Sequence, residues 1–296
     1  MPDGSVCSGR FPPPRVSIVA LALLLAAVTG PLHGQPVATV DTAAQDIVGV
    51  PTVGGATLRV RTFRPPGNGP FPLAVINHGS PADPSKRPQM PVPTFASASN
   101  WLLAQGYLVV LPLRRGYGET GGAWAEAYGA CANPDYYRAG LVSADDIQAV
   151  LGFFRARADV ARERGLLIGY SAGGWGSLAL ASKNPKDVRA VLNFAGGRGG
   201  KHPQAGNCTP QRLIEAAGRY GATARIPSLW LYAENDKFFT PELSRKMFDA
   251  YVRGGAPAEY AALPEFGSEG HYVFSTASGR KLWQPPADGF LAQLKP

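Results

Sequence analysis

The sequence predicts a single doubly wound α/β domain with a mostly parallel sheet of about eight strands. Three observations carry this expectation. Apolar runs of four to seven residues alternate with longer segments of helical periodicity, as in a parallel sheet covered on both faces. The runs end in turns rich in Gly, Pro and Ser, and loops at the carboxyl ends of such strands hold functional groups. The 296 residues are 45% hydrophobic and 17% charged, enough for one sizeable core and unlike a disordered or collagen-like chain. The 36 glycines and 28 prolines follow no fixed period, so they mark turns and not a repeat array.

Arg10 and Arg15 precede a thirteen-residue apolar run, Val16–Val28, and small residues follow as far as Gly34. The run is shorter than the roughly 20 residues that span a bilayer as a helix. Its order is that of a secretory signal peptide over residues 1–34. We therefore expect a periplasmic or secreted protein with no stable membrane insertion after cleavage. An uncleaved anchor is the alternative, since Leu32 occupies the position three before the cut.

The folded domain is expected over 35–296. After a polar lead-in, the alternation of Thr57–Phe63 predicts a strand, closed by Pro65-Pro66-Gly67. Leu73–Asn77 predicts a buried strand entering the turn His78-Gly79-Ser80-Pro81. A helix over Phe95–Gln105 stops at Gly106, and the strand Tyr107–Pro112 follows. A long insert, 114–140, holds Cys131, and Ser143 with Asp146 three residues on predicts the cap of the next helix.

Leu166–Gly169 reads as a strand, Ala172–Lys183 as a helix and Ala190–Phe194 as a strand. A second irregular insert, 195–225, holds Cys208 and a short helix near Gln211. The strand Ser228–Tyr232, a helix from Thr240-Pro241 to Gly254, the strand Glu259–Leu263 and a final helix over Ala287–Leu294 complete the chain.

The formal net charge is +8. Its basic runs are no longer than pairs, such as Lys86-Arg87 and Arg114-Arg115. Without a basic helix or basic–aromatic interleaving, nucleic-acid binding is not expected, and the charge is read as serving solubility. Of three cysteines, Cys7 leaves with the signal. Cys131 and Cys208 then form an even pair in an oxidising compartment, which predicts one disulfide.

Gly169-Tyr170-Ser171-Ala172-Gly173 stands between a strand and a helix. A G-x-S-x-G turn in that setting exposes its serine hydroxyl at the sheet edge, with glycines where side chains would collide. A serine hydroxyl needs a positioned base, most often histidine. Four histidines are present. His33 leaves with the signal, His78 follows an early strand, and His202 lies in the second insert. Where a serine occupies this turn, the acid and then the histidine follow it in the chain, which selects His271 in the loop after the last strand. Asp236, just beyond the strand Ser228–Tyr232, is the expected acid, with Glu234 as the alternative.

Five segments in this order resemble the α/β-hydrolase superfamily, and within it the dienelactone-hydrolase-like and prolyl-oligopeptidase-like branches. They are Asn77–Ser80, Arg114–Gly122, Gly169–Gly174, Ala233–Glu242 and Glu269–Tyr272. The resemblance implies an exported serine hydrolase that cleaves a small-molecule or polymeric carboxylic ester through an acyl-enzyme. It implies Ser171 as nucleophile, His271 as general base and then acid, and Asp236 as the group orienting the imidazole. The oxyanion hole is implied to be the backbone N–H of Ala172 and that of Ser80, and His78 is implied to be structural. Alternatives are a small serine peptidase, a thioesterase or lactonase and, last, a non-catalytic binding module.

Dienelactone hydrolases proper use cysteine where this chain has Ser171. Prolyl-oligopeptidase relatives carry an N-terminal propeller, for which the residues before the first strand are too few. A free-standing catalytic domain is expected. Tyr117, Trp124, Tyr128, Tyr136, Tyr137, Trp175, Phe238 and Phe239 are candidates either for lining the site or for packing. No cofactor or metal is expected, because no ligand spacing or phosphate-binding glycine loop occurs.

Overall fold

The computed structural model describes residues 38–163, 165–200 and 206–294. The expected signal segment and His202 lie outside the described residues. Eight strands form one sheet: β1 (Ala44–Pro51), β2 (Thr57–Arg64), β3 (Leu73–Asn77), β4 (Leu108–Leu113), β5 (Gly165–Tyr170), β6 (Val188–Phe194), β7 (Ser228–Ala233) and β8 (Ala258–Leu263). Their spatial order is β1-β2-β4-β3-β5-β6-β7-β8. β2 runs antiparallel to both β1 and β4, and all neighbours from β4 to β8 are parallel.

The central strands are continuous apolar runs because both faces are buried. Leu73 and Val75 of β3 pack into one core, while Ala74 and Ile76 pack into the other. The first core also takes residues of α2 (Tyr136–Arg155), α3 (Ala172–Ala181), α4 (Pro210–Thr223) and α5 (Pro241–Arg253). The second takes α1 (Ala96–Leu103) and α6 (Ala277–Gln293). Among the described residues, no helix is long and apolar enough to cross a membrane.

The order reverses around β3: the chain passes to β4 on one side and then crosses to β5 on the other. Ligands gather outside the carboxyl ends of strands at such a switch point. Asn77, the last residue of β3, pairs with Gly169 of β5. The turn after β3 and the turn that carries Ser171 are thus set side by side.

Four sequence expectations are corrected. Residues 44–51 form a strand, paired with β2 over its whole length; they are mostly exposed and their apolar stretch, Ile47–Val50, is short and interrupted by Gly49, so the ladder is what reveals them. α2 starts at Tyr136, where the Asp135 side chain accepts from Arg138 N, and not at Ser143. Ser143 and Asp146 instead face a neighbouring loop: Ser143 accepts from Arg198 and Asp146 from Arg115. α4 is a full 14-residue helix. α6 begins at Ala277 and continues through Pro285 and Pro286, because buried Trp283, Ala287 and Phe290 hold both halves against the sheet.

Cys131 and Cys208 are joined by a disulfide with Cα atoms 5.0 Å apart. The bond ties the segment before α2 to the segment before α4. Hydrogen bonds reinforce the junction, from Thr209 Oγ1 to the Cys131 carbonyl at 2.7 Å and from Cys208 N to the Gly199 carbonyl at 3.3 Å. Closing a loop of sequence separation 77 is worth about 4 kcal/mol in the chain-entropy account.

Candidate active site

Ser171 stands between β5 and α3 with φ 54° and ψ −120°. Left-handed backbone in a non-glycine residue costs on the order of 1–3 kcal/mol. The surroundings enforce it: Ser171 N donates to the Phe194 carbonyl at 2.9 Å, and its own carbonyl accepts from Trp175 N at 3.0 Å. The glycines of the motif permit the approach of neighbouring backbone. A Cβ at Gly173 would lie 2.1 Å from the Asn77 carbonyl oxygen, and one at Gly169 would lie 2.4 Å from the Gly173 oxygen.

His271 lies in a short 3₁₀ turn after β8, buried beneath Phe238, whose ring stacks on the imidazole at 4.3 Å. Its Nε2 is 3.1 Å from Ser171 Oγ and its Nδ1 is 3.1 Å from Asp236 Oδ2. Asp236, in the turn leaving β7, has its other oxygen held by Phe238 N at 2.8 Å and Phe239 N at 2.9 Å. One carboxylate oxygen is fixed by backbone and the other is left for the imidazole. The three residues picked out from the sequence therefore form one hydrogen-bonded chain, whereas Glu234 is exposed.

The tautomer follows from the partners: Nδ1–H donates to the carboxylate, leaving Nε2 free to accept from the serine hydroxyl. Sequence reasoning missed Glu269. Its Oε1 accepts from both His271 N and Lys237 N at 3.0 Å, which joins the histidine loop to the aspartate loop. The signal available was an acid two residues before the histidine, the spacing of a side chain capping a turn.

Ala172 N opens α3, at a helix start where backbone N–H groups lack intrahelical partners. The turn after β3 comes close enough that a Cβ at Gly79 would lie 3.1 Å from Ser171 Cβ. Ala172 and Ser80 both line the cavity that contains Ser171. His78 stands outside the chain of three. It is buried, its Nε2 accepts from Arg114 N at 3.1 Å, and its Nδ1 donates to the Gly79 carbonyl at 2.6 Å. Burial first, and then the nearby Arg114 charge, push its pKa down to about 3, so this imidazole stays neutral and shapes the loop.

Beneath that loop lies a buried ionic cluster that corrects the reading of Arg114 as a solubility charge. Glu126 receives Arg114 and Arg198 together, and Tyr117 Oη donates to it at 3.0 Å. Arg198 also donates to Ser143 Oγ at 2.7 Å. Burial alone would raise the Glu126 pKa, but the charges of Arg114 and Arg198 hold it far below the usual carboxylate range.

Residues 93–196 match the prolyl oligopeptidase family. No curated protein matches the sequence. A protein assigned as a dienelactone hydrolase, from Klebsiella pneumoniae, is 17% identical with TM-score 0.56, over 84% of this chain and 98% of that one. An esterase from Pyrococcus furiosus is 15% identical with TM-score 0.58, over 85% and 93%. The Porphyromonas gingivalis dipeptidyl peptidase 4 is 15% identical with TM-score 0.63, over 84% of this chain but 35% of its own.

The chain has the α/β-hydrolase fold. In this α/β-hydrolase fold the cavity beside Ser171 measures about 530 Å³. Of the aromatic candidates, Trp124, Tyr128, Phe238 and Phe239 line it. Tyr117, Tyr136 and Trp175 are buried packing residues: the Trp175 indole N–H donates to the Tyr136 carbonyl at 2.8 Å. Tyr137 stacks on Tyr220 at 4.9 Å. Among the described residues, no group of three or more His, Cys, Asp or Glu side chains could hold a metal ion.

Proposed function

We propose that the protein is an exported serine hydrolase that cleaves carboxylic esters. The observation that supports this most is the unbroken chain from Ser171 Oγ through His271 to Asp236, with 3.1 Å at each link, at the opening of an apolar cavity. His271 takes the hydroxyl proton as Ser171 attacks the ester carbonyl, and Asp236 holds the imidazolium that forms. The backbone N–H groups of Ala172 and Ser80 receive the oxyanion, each worth about 3 kcal/mol in the transition state. His271 then protonates the leaving alcohol, and water resolves the acyl-enzyme by the same steps in reverse roles. Residues 1–34 supply the export signal, and the disulfide fits an oxidising compartment.

A peptidase reading draws on the family match to residues 93–196. Against it, the described residues that line the cavity include no Asp or Glu that would receive a peptide's amino terminus. Short 4-nitrophenyl acyl esters and aminoacyl 4-nitroanilides, assayed side by side, separate the two. We expect ester turnover, labelling of Ser171 by a fluorophosphonate, and little anilide cleavage. Anilides turned over as fast as the esters would shift the assignment to a peptidase.

A further inference from the structure

Among the described residues, the lining of the cavity beside Ser171 is charged in one sign only. Among the described residues that line it, Arg87 and Arg198 are the permanently charged ones, and no carboxylate faces them there. Arg198 is 3% exposed and shares Glu126 with Arg114, which is fully buried. Two guanidinium groups on one carboxylate leave one positive charge uncompensated in a low-dielectric surround, where charge acts over longer range than in water. Arg198 Nε and Nη1 have no hydrogen-bond partner among the described residues. Too enclosed to touch a ligand, they project a field instead.

Arg87 offers the contact. It lies in the 3₁₀ segment Pro84–Gln89 after β3 and is half-buried, with its guanidinium carbon over the Trp124 ring, 3.4 Å from the centroid. Stacking on an aromatic face fixes the plane of a guanidinium while its edge stays free to donate. Among the described residues, no carboxylate forms an ion pair with it. Burial, and among the lesser causes the charge of Arg198, lower its pKa from the ordinary arginine value. An anion placed here would meet a preoriented donor with a second positive charge behind it.

We propose that the substrate carries a carboxylate separate from the scissile ester, held by Arg87 within the field of Arg198. This rests on the ester-hydrolase reading and narrows it to esters with an apolar body and one free acid group. A half-ester of a dicarboxylic acid has that chemistry. Hydrolysis of a diester, with water consumed and one alcohol released, generates such a half-ester, so the reaction that supplies this substrate is itself an ester hydrolysis.

The test separates binding from turnover. In the Ser171→Ala protein, Trp fluorescence titration measures the affinity of monomethyl succinate, adipate and suberate against the corresponding dimethyl esters. At least one monomethyl ester is expected to bind about tenfold more tightly than its dimethyl partner, the margin of a charge-assisted hydrogen bond. Adding Arg87→Gln should remove that margin, and rising salt should reduce it. Equal affinities across all three pairs would overturn the proposal, as would a margin that persists in the Arg87→Gln protein. Turnover of the same esters by the unmodified protein reports on the ester-hydrolase reading by itself, because the binding result does not depend on it.

Discussion

Ser171→Ala and His271→Ala are each expected to lower kcat by about 10⁶-fold on an activated ester, with circular dichroism close to that of the parent. Magnitudes of this order arise because nucleophile and base act as a unit, and the residual rate comes from binding and the oxyanion donors. The Ser171 hydroxyl is not needed for the fold. Ser171 contributes only a hydroxyl beyond Cβ, and its constrained backbone is held by bonds from its own N–H and carbonyl. Asp236→Asn is expected to cost about 10⁴-fold, the price of presenting the wrong imidazole tautomer. Phe238 N and Phe239 N would still bind the amide oxygen, leaving its NH₂ facing Nδ1. Stopped-flow or steady-state assays on purified variants read all three, and parent-like turnover by Ser171→Ala would remove it as nucleophile.

Glu126→Gln should produce a large loss of stability. It leaves Arg114 and Arg198 buried without their shared counter-charge, and breaking a buried ion pair from one side typically costs 3–5 kcal/mol. For a domain of this size that corresponds to a fall in Tm of roughly 10 °C. Urea unfolding should show the midpoint moving with little change in slope. The effect should also reach the site, because Arg114 N holds His78 and His78 shapes the turn that carries Ser80. An unchanged midpoint would mean that the cluster contributes nothing to folding.

The strands, the serine turn and the order of acid and base were legible in the sequence because each depends on short-range pattern. A β-strand buried on both faces, such as Leu73–Asn77, is a continuous apolar run. Likewise Gly169–Gly173 states its own backbone requirement. What the sequence did not disclose depends on partners distant in the chain. β1 becomes a strand only through its ladder with β2. Ser143 and Asp146 have the spacing of a cap, yet they serve Arg198 and Arg115. Arg87, Arg114 and Arg198 look like dispersed surface charge, and only the fold shows that two are buried and one lies on Trp124.

The disulfide has a consequence for how the molecule withstands cleavage of its backbone. The segment Ala156–Glu163 after α2 is largely exposed and contains Arg157 and Arg162. It lies between Cys131 and Cys208. A protease cutting there would divide the polypeptide so that Ser171, Asp236 and His271 remain together on the carboxyl-terminal piece. The amino-terminal piece would carry the Ser80 turn, Arg87 and Trp124. One covalent bond would keep the piece that holds Ser171, Asp236 and His271 attached to the piece that holds Arg87 and the Ser80 turn.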